Sequence, residues 1–283
     1  MTNKNITRKI LLILFPFLLL EIVLRIIGIG GSLVYVEHPE YGYAPAPSQS
    51  FSTMGHRIEI LDNGFRGPPA TNRILFVGDS VTYGTAFLRD ADTFPALLGG
   101  SNAGVNGWGI PNIASYLGHI SLENYDVVVW TLPSCDTLRP LMTLRDGLIS
   151  SNRRMWLRLE YIGRFIWYGF IQTSVAQNDP SVLPENIKLL LEADRQLTAK
   201  GKKLLVVFLP YREEMLGGEM PETPYFGQLK VAADEAGIWN IRAEYTGDPT
   251  TLFRDSAHLS VYGNQWLAGL IADALTRKSD TEN

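Results

Sequence analysis

The chain is cut most sharply after Val77. Ile74, Leu75, Phe76 and Val77 form an apolar run that stops at Gly78-Asp79-Ser80 and passes into the polar stretch Val81-Thr82-Tyr83-Gly84. A short apolar run ended by such a break reads as a buried parallel strand. Its C-terminal end hands the hydroxyl of Ser80 to a strand-to-helix junction. Open α/β sheets hold their ligands at such strand ends, and backbone N–H groups of the turn there are placed to act as oxyanion donors. A serine hydroxyl is a weak nucleophile without a base. The far end of the chain offers one in Asp255-Ser256-Ala257-His258, followed by Leu259-Ser260-Val261-Tyr262-Gly263.

The N-terminus carries the second strong signal. Lys4, Arg8 and Lys9 precede the apolar run from Ile10 to Leu20, which continues through Glu21, Ile22, Val23, Leu24 and Arg25 to Gly30. That length suffices to cross a bilayer. Glu21 and Arg25 lie one helical turn apart and can pair, with Arg25 reaching toward headgroups. The basic flank places the N-terminus inside and the bulk of the chain outside. A cleaved signal peptide is the rival reading, but no A-x-A site follows the run. A buried amphipathic helix is disfavoured, because Ile10 to Leu20 is apolar all round. The expectation is an uncleaved single-pass anchor over residues 1–31 in the inner (cytoplasmic) membrane, with the remainder on the periplasmic or extracytoplasmic side.

Composition narrows the classes. A hydrophobic fraction of 46% with 19% charged residues is that of a folded protein, far from the signature of disorder. A net charge of −4 gives no electrostatic footprint for nucleic acid. With one cysteine, Cys135, the chain has no internal disulfide framework and no cysteine-rich zinc site.

Residues 32–72, rich in Pro, Gly and Tyr, read as a connector, with a short strand at Arg57–Leu61 and a turn over Asp62–Pro69. From Arg73 onward, strand-like runs alternate with helical patterns, the rhythm of βαβ units around a parallel sheet. The expected strands are Ile74–Val77, Asn102–Val105, Asp126–Leu132, Lys203–Leu209 and Ile238–Ile241. The expected helices are Phe94–Leu98, Pro111–Ile120, Pro184–Lys200, Pro224–Ala236 and Gly263–Arg277. The resulting fold is α/β, a flavodoxin-like three-layer sandwich with about five parallel strands over residues 73–278. The stretch 137–183 breaks the rhythm as a helical insertion crowded with aromatics and with Arg153, Arg154, Arg158 and Arg164. Following the third strand, it is expected over the C-terminal edge of the sheet as a lid. Its alternatives are a helical pair packed on the domain, a substrate-binding wall, or a surface resting on the membrane. The arginines read first as a solvated helix face, and second as a contact for anionic headgroups or sugars.

These motifs together resemble the SGNH hydrolases, or GDSL esterase/lipase family, over about Arg73 to Ala272 with the insertion unmatched. Gly78-Asp79-Ser80 resembles the first block, which implies Ser80 as nucleophile and its N–H as an oxyanion donor. Asn102-Ala103-Gly104-Val105-Asn106-Gly107 resembles the second block and implies the Gly107 N–H as another donor. Asp255-x-x-His258 resembles the last block, implying His258 as base and Asp255 as the group that orients it. The physics agrees: the imidazole takes the hydroxyl proton, and a carboxylate on its other nitrogen fixes its tautomer. The third block departs from the pattern, since Cys135 stands where the resemblance expects an asparagine donor. A thiol is a weak donor, and losing one oxyanion donor costs about 10²–10³ in rate. Three readings follow: a lower activity, Ser134 or Asn106 as substitute donor, or an acyl transfer tuned differently. Asp79 and Trp108 are candidates for substrate contact, Asp79 also for a helix cap. Asn63-Gly64-Phe65-Arg66 is similar to a segment of anchored family members and reads otherwise as a turn.

The resemblance implies a serine esterase or acyltransferase that needs no cofactor or metal. It acts through an acyl-enzyme on ester-linked acyl groups, acetyl first, of an envelope or extracellular polysaccharide. Envelope polysaccharide machinery is then the expected partner. A lipid esterase or lysophospholipase is the enzyme alternative. A non-catalytic carbohydrate-binding assembly subunit is the alternative of another class.

Overall fold

The computed structural model describes residues 3–144, 152, 155–171 and 179–282. Helix α1 (Asn3–Ile27) opens the chain, and within it Arg8–Ile27 is long and apolar enough to cross a membrane. Its large apolar side chains, from Ile10 through Ile27, stand mostly exposed. Strands β1 (Tyr35–His38) and β2 (Gly42–Pro45) form one antiparallel hairpin, and β3 (Gln49–Thr53) and β4 (His56–Ile60) form a second. Then come β5 (Ile74–Val77), α2 (Ser80–Tyr83), α3 (Phe94–Leu97), β6 (Ser101–Asn102), α4 (Ile110–His119) and β7 (Val127–Pro133). Helix α5 (Arg158–Ile171) lies in the insertion. The chain ends with α6 (Leu183–Ala199), β8 (Lys203–Leu209), α7 (Arg212–Met215), α8 (Thr223–Glu235), β9 (Asn240–Arg242) and α9 (Val261–Glu282).

Five of these strands make one parallel sheet in the order β6-β5-β7-β8-β9. This is the flavodoxin-like order expected from the sequence, with its switch point beside β5. The three layers follow from the alternation of side chains along each strand. Leu75, Val77, Val128, Trp130, Leu132, Val206 and Phe208 pack toward α4, α6 and α8. Phe76, Val129, Leu205, Val207 and Leu209 point the other way, against α3 and α9. Both faces are covered, so these strands carry almost no polar residue.

Three expectations need adjustment. Strand β6 stops at Asn102, because the Asn102 side chain accepts the Gly104 N–H at 3.0 Å and bends the backbone out of the sheet. The stretch 32–72 is folded into the two hairpins, whose Tyr35, Tyr43, Ile58, Ile60 and Phe65 join the core. Helix α5 packs against α1 rather than standing as a lid over the strand ends. Glu21 of α1 accepts the backbone N–H groups of Arg158 at 3.0 Å and Leu159 at 3.1 Å, capping α5 across the two helices. Arg153 and Arg154 lie outside the described residues.

Arg66 binds the second hairpin to the sheet. It is 1% exposed, its Nε donates to Asp90 at 2.8 Å, and its other nitrogens donate to the carbonyls of Tyr83, Thr85 and Leu88. Its backbone N–H reaches the Asn102 carbonyl at 2.9 Å. Replacement of Arg66 by methionine leaves Asp90 and three carbonyls without their donor. The expected loss is about 3–5 kcal/mol, read as the urea midpoint of the full chain in detergent. Arg66→Lys is expected to recover less than half of it, because an ammonium cannot reproduce the fork.

Candidate active site

The site is assembled at the C-terminal ends of β5 and of the β6 segment. Ser80 is the first residue of α2, and Asp79 caps it by accepting the Val81 N–H at 2.8 Å. The turn is tight enough to need glycine on both sides of the crevice. A Cβ on Gly78 would lie 2.1 Å from Thr82 Oγ1, and one on Gly104 would lie 2.3 Å from the Tyr83 nitrogen. Gly107 adopts a left-handed φ of 81°, a conformation that costs glycine little. The Ser80 and Gly107 N–H groups have no hydrogen-bond acceptor among the described residues, which leaves both available to a ligand.

The distant segment closes on this point. Ser80 Oγ lies 2.9 Å from His258 Nε2, across 178 positions of sequence. His258 Nδ1 lies 2.9 Å from Asp255 Oδ2, and Asp255 Oδ1 also accepts the backbone N–H groups of His258 at 2.8 Å and Ala257 at 3.0 Å. Partial burial opposes ionisation of Asp255, yet those N–H groups and the imidazole outweigh it and hold the carboxyl below its ordinary value. The carboxylate therefore stays charged, fixing the proton on Nδ1 and leaving Nε2 free to accept from Ser80. The loop itself is braced, with Arg212 N–H donating to the Ser256 carbonyl and Arg254 N–H to that of His258. The Arg254 guanidinium stacks 3.5 Å from the centre of the Phe87 ring.

The remaining sequence candidates are placed differently. Trp108 is fully buried, and its indole N–H donates to the Tyr43 carbonyl at 2.8 Å, so it is a core residue and not a substrate contact. Asp79 is likewise buried and occupied as a cap. The Asn106 amide donates to Tyr35 Oη at 3.2 Å, and Ser134 donates to Glu214. Neither side chain is turned to the crevice as an oxyanion donor. Cys135 is buried, its thiol 3.5 Å from Asp136 Oδ1, and burial pushes its ionisation well up. The thiol is neither a nucleophile nor a useful donor. Among the described residues, the backbone N–H groups of Ser80 and Gly107 remain the candidate oxyanion donors.

Behind Ser80 lies a charge cluster that the linear chain scarcely announces. Arg139 Nη1 is 2.7 Å from Asp136 Oδ1, 3.3 Å from Asp79 Oδ2 and 3.0 Å from the Trp108 carbonyl. Asp136 has no exposed surface, and burial, together with Asp79, raises its pKa well above the carboxylate range despite Arg139. One guanidinium facing two buried carboxyls is neutral overall when Asp136 keeps its proton. Its only trace in the sequence is an arginine shortly after the third strand.

Solved structures similar to this chain include GDSL-like lipases and esterases, the group its sequence blocks resemble. A GDSL-like lipase from Bacteroides thetaiotaomicron is 13% identical, with a TM-score of 0.46 over 73% of this chain and 89% of that one. The acetyl xylan esterase AlAXEase is 17% identical, with a TM-score of 0.45 over 71% and 98%. Protein YXIM from Bacillus subtilis is 13% identical, with a TM-score of 0.49 over 83% and 72%. At identities this low and TM-scores below 0.5, the chemistry rests on the geometry of the site and not on these likenesses. No family model matches the chain, and no curated protein matches it.

The charge cluster makes stability depend on pH. Asp136→Asn preserves the neutral form and is expected to leave the melting temperature at pH 7 unchanged or higher. The raised carboxyl pKa means wild-type stability falls as pH rises above the unfolded carboxylate value, and the asparagine variant loses that slope. Arg139→Met strands Asp79 and is expected to cost about 3 kcal/mol. Thermal unfolding of both variants between about pH 4 and pH 8 checks the two signs.

Proposed function

We propose that this chain is a membrane-tethered serine ester hydrolase or acyltransferase of the SGNH type. The observation that carries the reading is the continuous hydrogen-bonded line from Ser80 Oγ through His258 to Asp255. Ser80 Oγ attacks an ester carbonyl while His258 Nε2 takes its proton. The carbonyl oxygen becomes an oxyanion held by the N–H groups of Ser80 and Gly107. Collapse breaks the bond to the alcohol, which leaves with the proton from His258, and an acyl group remains on Ser80. Water, or a second hydroxyl, then attacks that acyl group with His258 again as base and restores Ser80. Asp255 stays ionised throughout and stabilises the imidazolium.

For the substrate we infer an O-acyl group, acetyl first, on an envelope or extracellular polysaccharide. Two features support it. The apolar helix α1 would hold the domain at a membrane surface, where exported polymer passes. The rim beside His258 carries an arginine stacked on an aromatic ring, Arg254 on Phe87, a surface better matched to a sugar than to an alkyl chain. The basic flank of α1 supports an extracytoplasmic placement of the domain.

The full chain in detergent is expected to hydrolyse nitrophenyl acetate in preference to the octanoate and to be labelled by a fluorophosphonate. Ser80→Ala is expected to lose the label and at least about 10³-fold in kcat/KM, and Asp255→Asn about 10⁴-fold in kcat. Turnover that persists in Ser80→Ala sinks the mechanism. A preference for octanoate replaces the polysaccharide assignment with a lipid esterase.

A further inference from the structure

We propose that the cavity where α1 leaves its apolar span binds the headgroup of an anionic membrane phospholipid through Arg25, Arg57 and Arg158. The cavity measures about 740 Å³ and is lined by α1, the second hairpin and the start of α5. This is the size of a small-molecule site. Arg25, Arg57 and Arg158 line it, and no described lining residue is a carboxylate. The neighbouring acid, Glu21, offsets part of the Arg25 charge. It pairs with Arg25 Nε at 2.7 Å and accepts the two N–H groups that start α5. Arg57, on β4, has no side-chain partner among the described residues. Arginine is suited to this use because its planar fork matches phosphate oxygens in pairs.

The walls are built rather than incidental. Gln49 accepts the Val34 N–H at 2.9 Å and donates to the carbonyls of Val34 and Ala46, locking the two hairpins together beneath the cavity. Gly31 allows the chain leaving α1 to press against the second hairpin. A Cβ there would lie 2.2 Å from the Ser52 carbonyl oxygen and 2.8 Å from Arg158 Nη1. Arg25 Nη2 donates to the Trp156 carbonyl, which ties the α1 exit to the start of α5.

A lipid is favoured as the source of the phosphate by what surrounds the arginines. Trp156 lines the cavity and is 77% exposed, and Leu157, Ile166 and Trp167 of the same segment are exposed beside the apolar surface of α1. Tryptophan concentrates where acyl chains meet headgroups. Phe51, Val34 and Met155 add apolar lining for a glycerol and the first methylenes. The cavity therefore joins a cationic chamber to an apolar rim at the end of a helix of bilayer length.

Native mass spectrometry of the full chain, released from micelles doped with phosphatidylglycerol or phosphatidylcholine, tests the assignment. Wild type is expected to retain one phosphatidylglycerol in preference to phosphatidylcholine. Arg57→Gln alone is expected to lower that retention about fivefold, and the Arg57→Gln/Arg158→Gln pair roughly thirtyfold. Arg73→Gln, an equal loss of charge at a remote exposed pair with Asp126, is expected to behave as wild type. Circular dichroism reports whether each variant folds, and the single Arg57 variant carries the test if the double one does not. Equal retention of the two lipids, indifference to Arg57→Gln, or an equal loss in Arg73→Gln overturns the proposal. So does displacement of the lipid by millimolar inorganic phosphate, which would make this a free-anion site. Ser80→Ala is expected to retain lipid normally, so failure of the ester chemistry and failure of this site are separate results.

Discussion

A guanidinium removed from water must find partners for its donors, and Arg66 finds them in the chain that follows Ser80. One carboxylate and three carbonyls converge on it. Because those carbonyls belong to Tyr83, Thr85 and Leu88, satisfying the cation fixes the path of the backbone after α2. The same residue reaches through its own N–H to Asn102, whose side chain bends the backbone toward Gly107. One buried charge thus holds two stretches beside the site, the chain after α2 and the Asn102 turn that leads to Gly107.

A second, partly buried cation, Arg139, performs the complementary task from below. It fills the space behind Asp79 and Trp108 with positive charge, while Asp136 beside it is driven toward its neutral form. The floor of the crevice is thereby rigid without adding a donor to it. This accounts physically for Cys135: with Arg139 and Tyr211 close by, the position holds a small neutral side chain that packs. An amide there would bring further polar atoms to be satisfied.

Much of this arrangement is legible in the sequence because strong local patterns encode it. The strands Ile74–Val77 and Lys203–Leu209 are apolar on both faces and end at glycine or proline, so their existence and extent follow from composition alone. Ser80, Asp255 and His258 are visible because their residue types and spacing are rare in combination. Buried partners are not visible. Trp108 reads as a ligand contact because it adjoins Gly107, but the core behind the second block has room for an indole, and apolar burial prevails. Arg66 reads as part of a turn and Arg139 draws no reading, since nothing in a linear sequence states that three carbonyls will meet in one place. The stretch 32–72 lacks the length and regularity of sheet strands, so its hairpins are hidden among turn formers.

The contact between Glu21 and the first turn of α5 bears on how the molecule tolerates being shortened. A carboxylate in the bilayer-length helix completes the hydrogen bonding of a helix encoded more than a hundred residues later. Cutting away the leading helix would leave the Arg158 and Leu159 amides without their acceptor. The leading helix is thus structural masonry for the insertion, and a truncate without it would be a different protein.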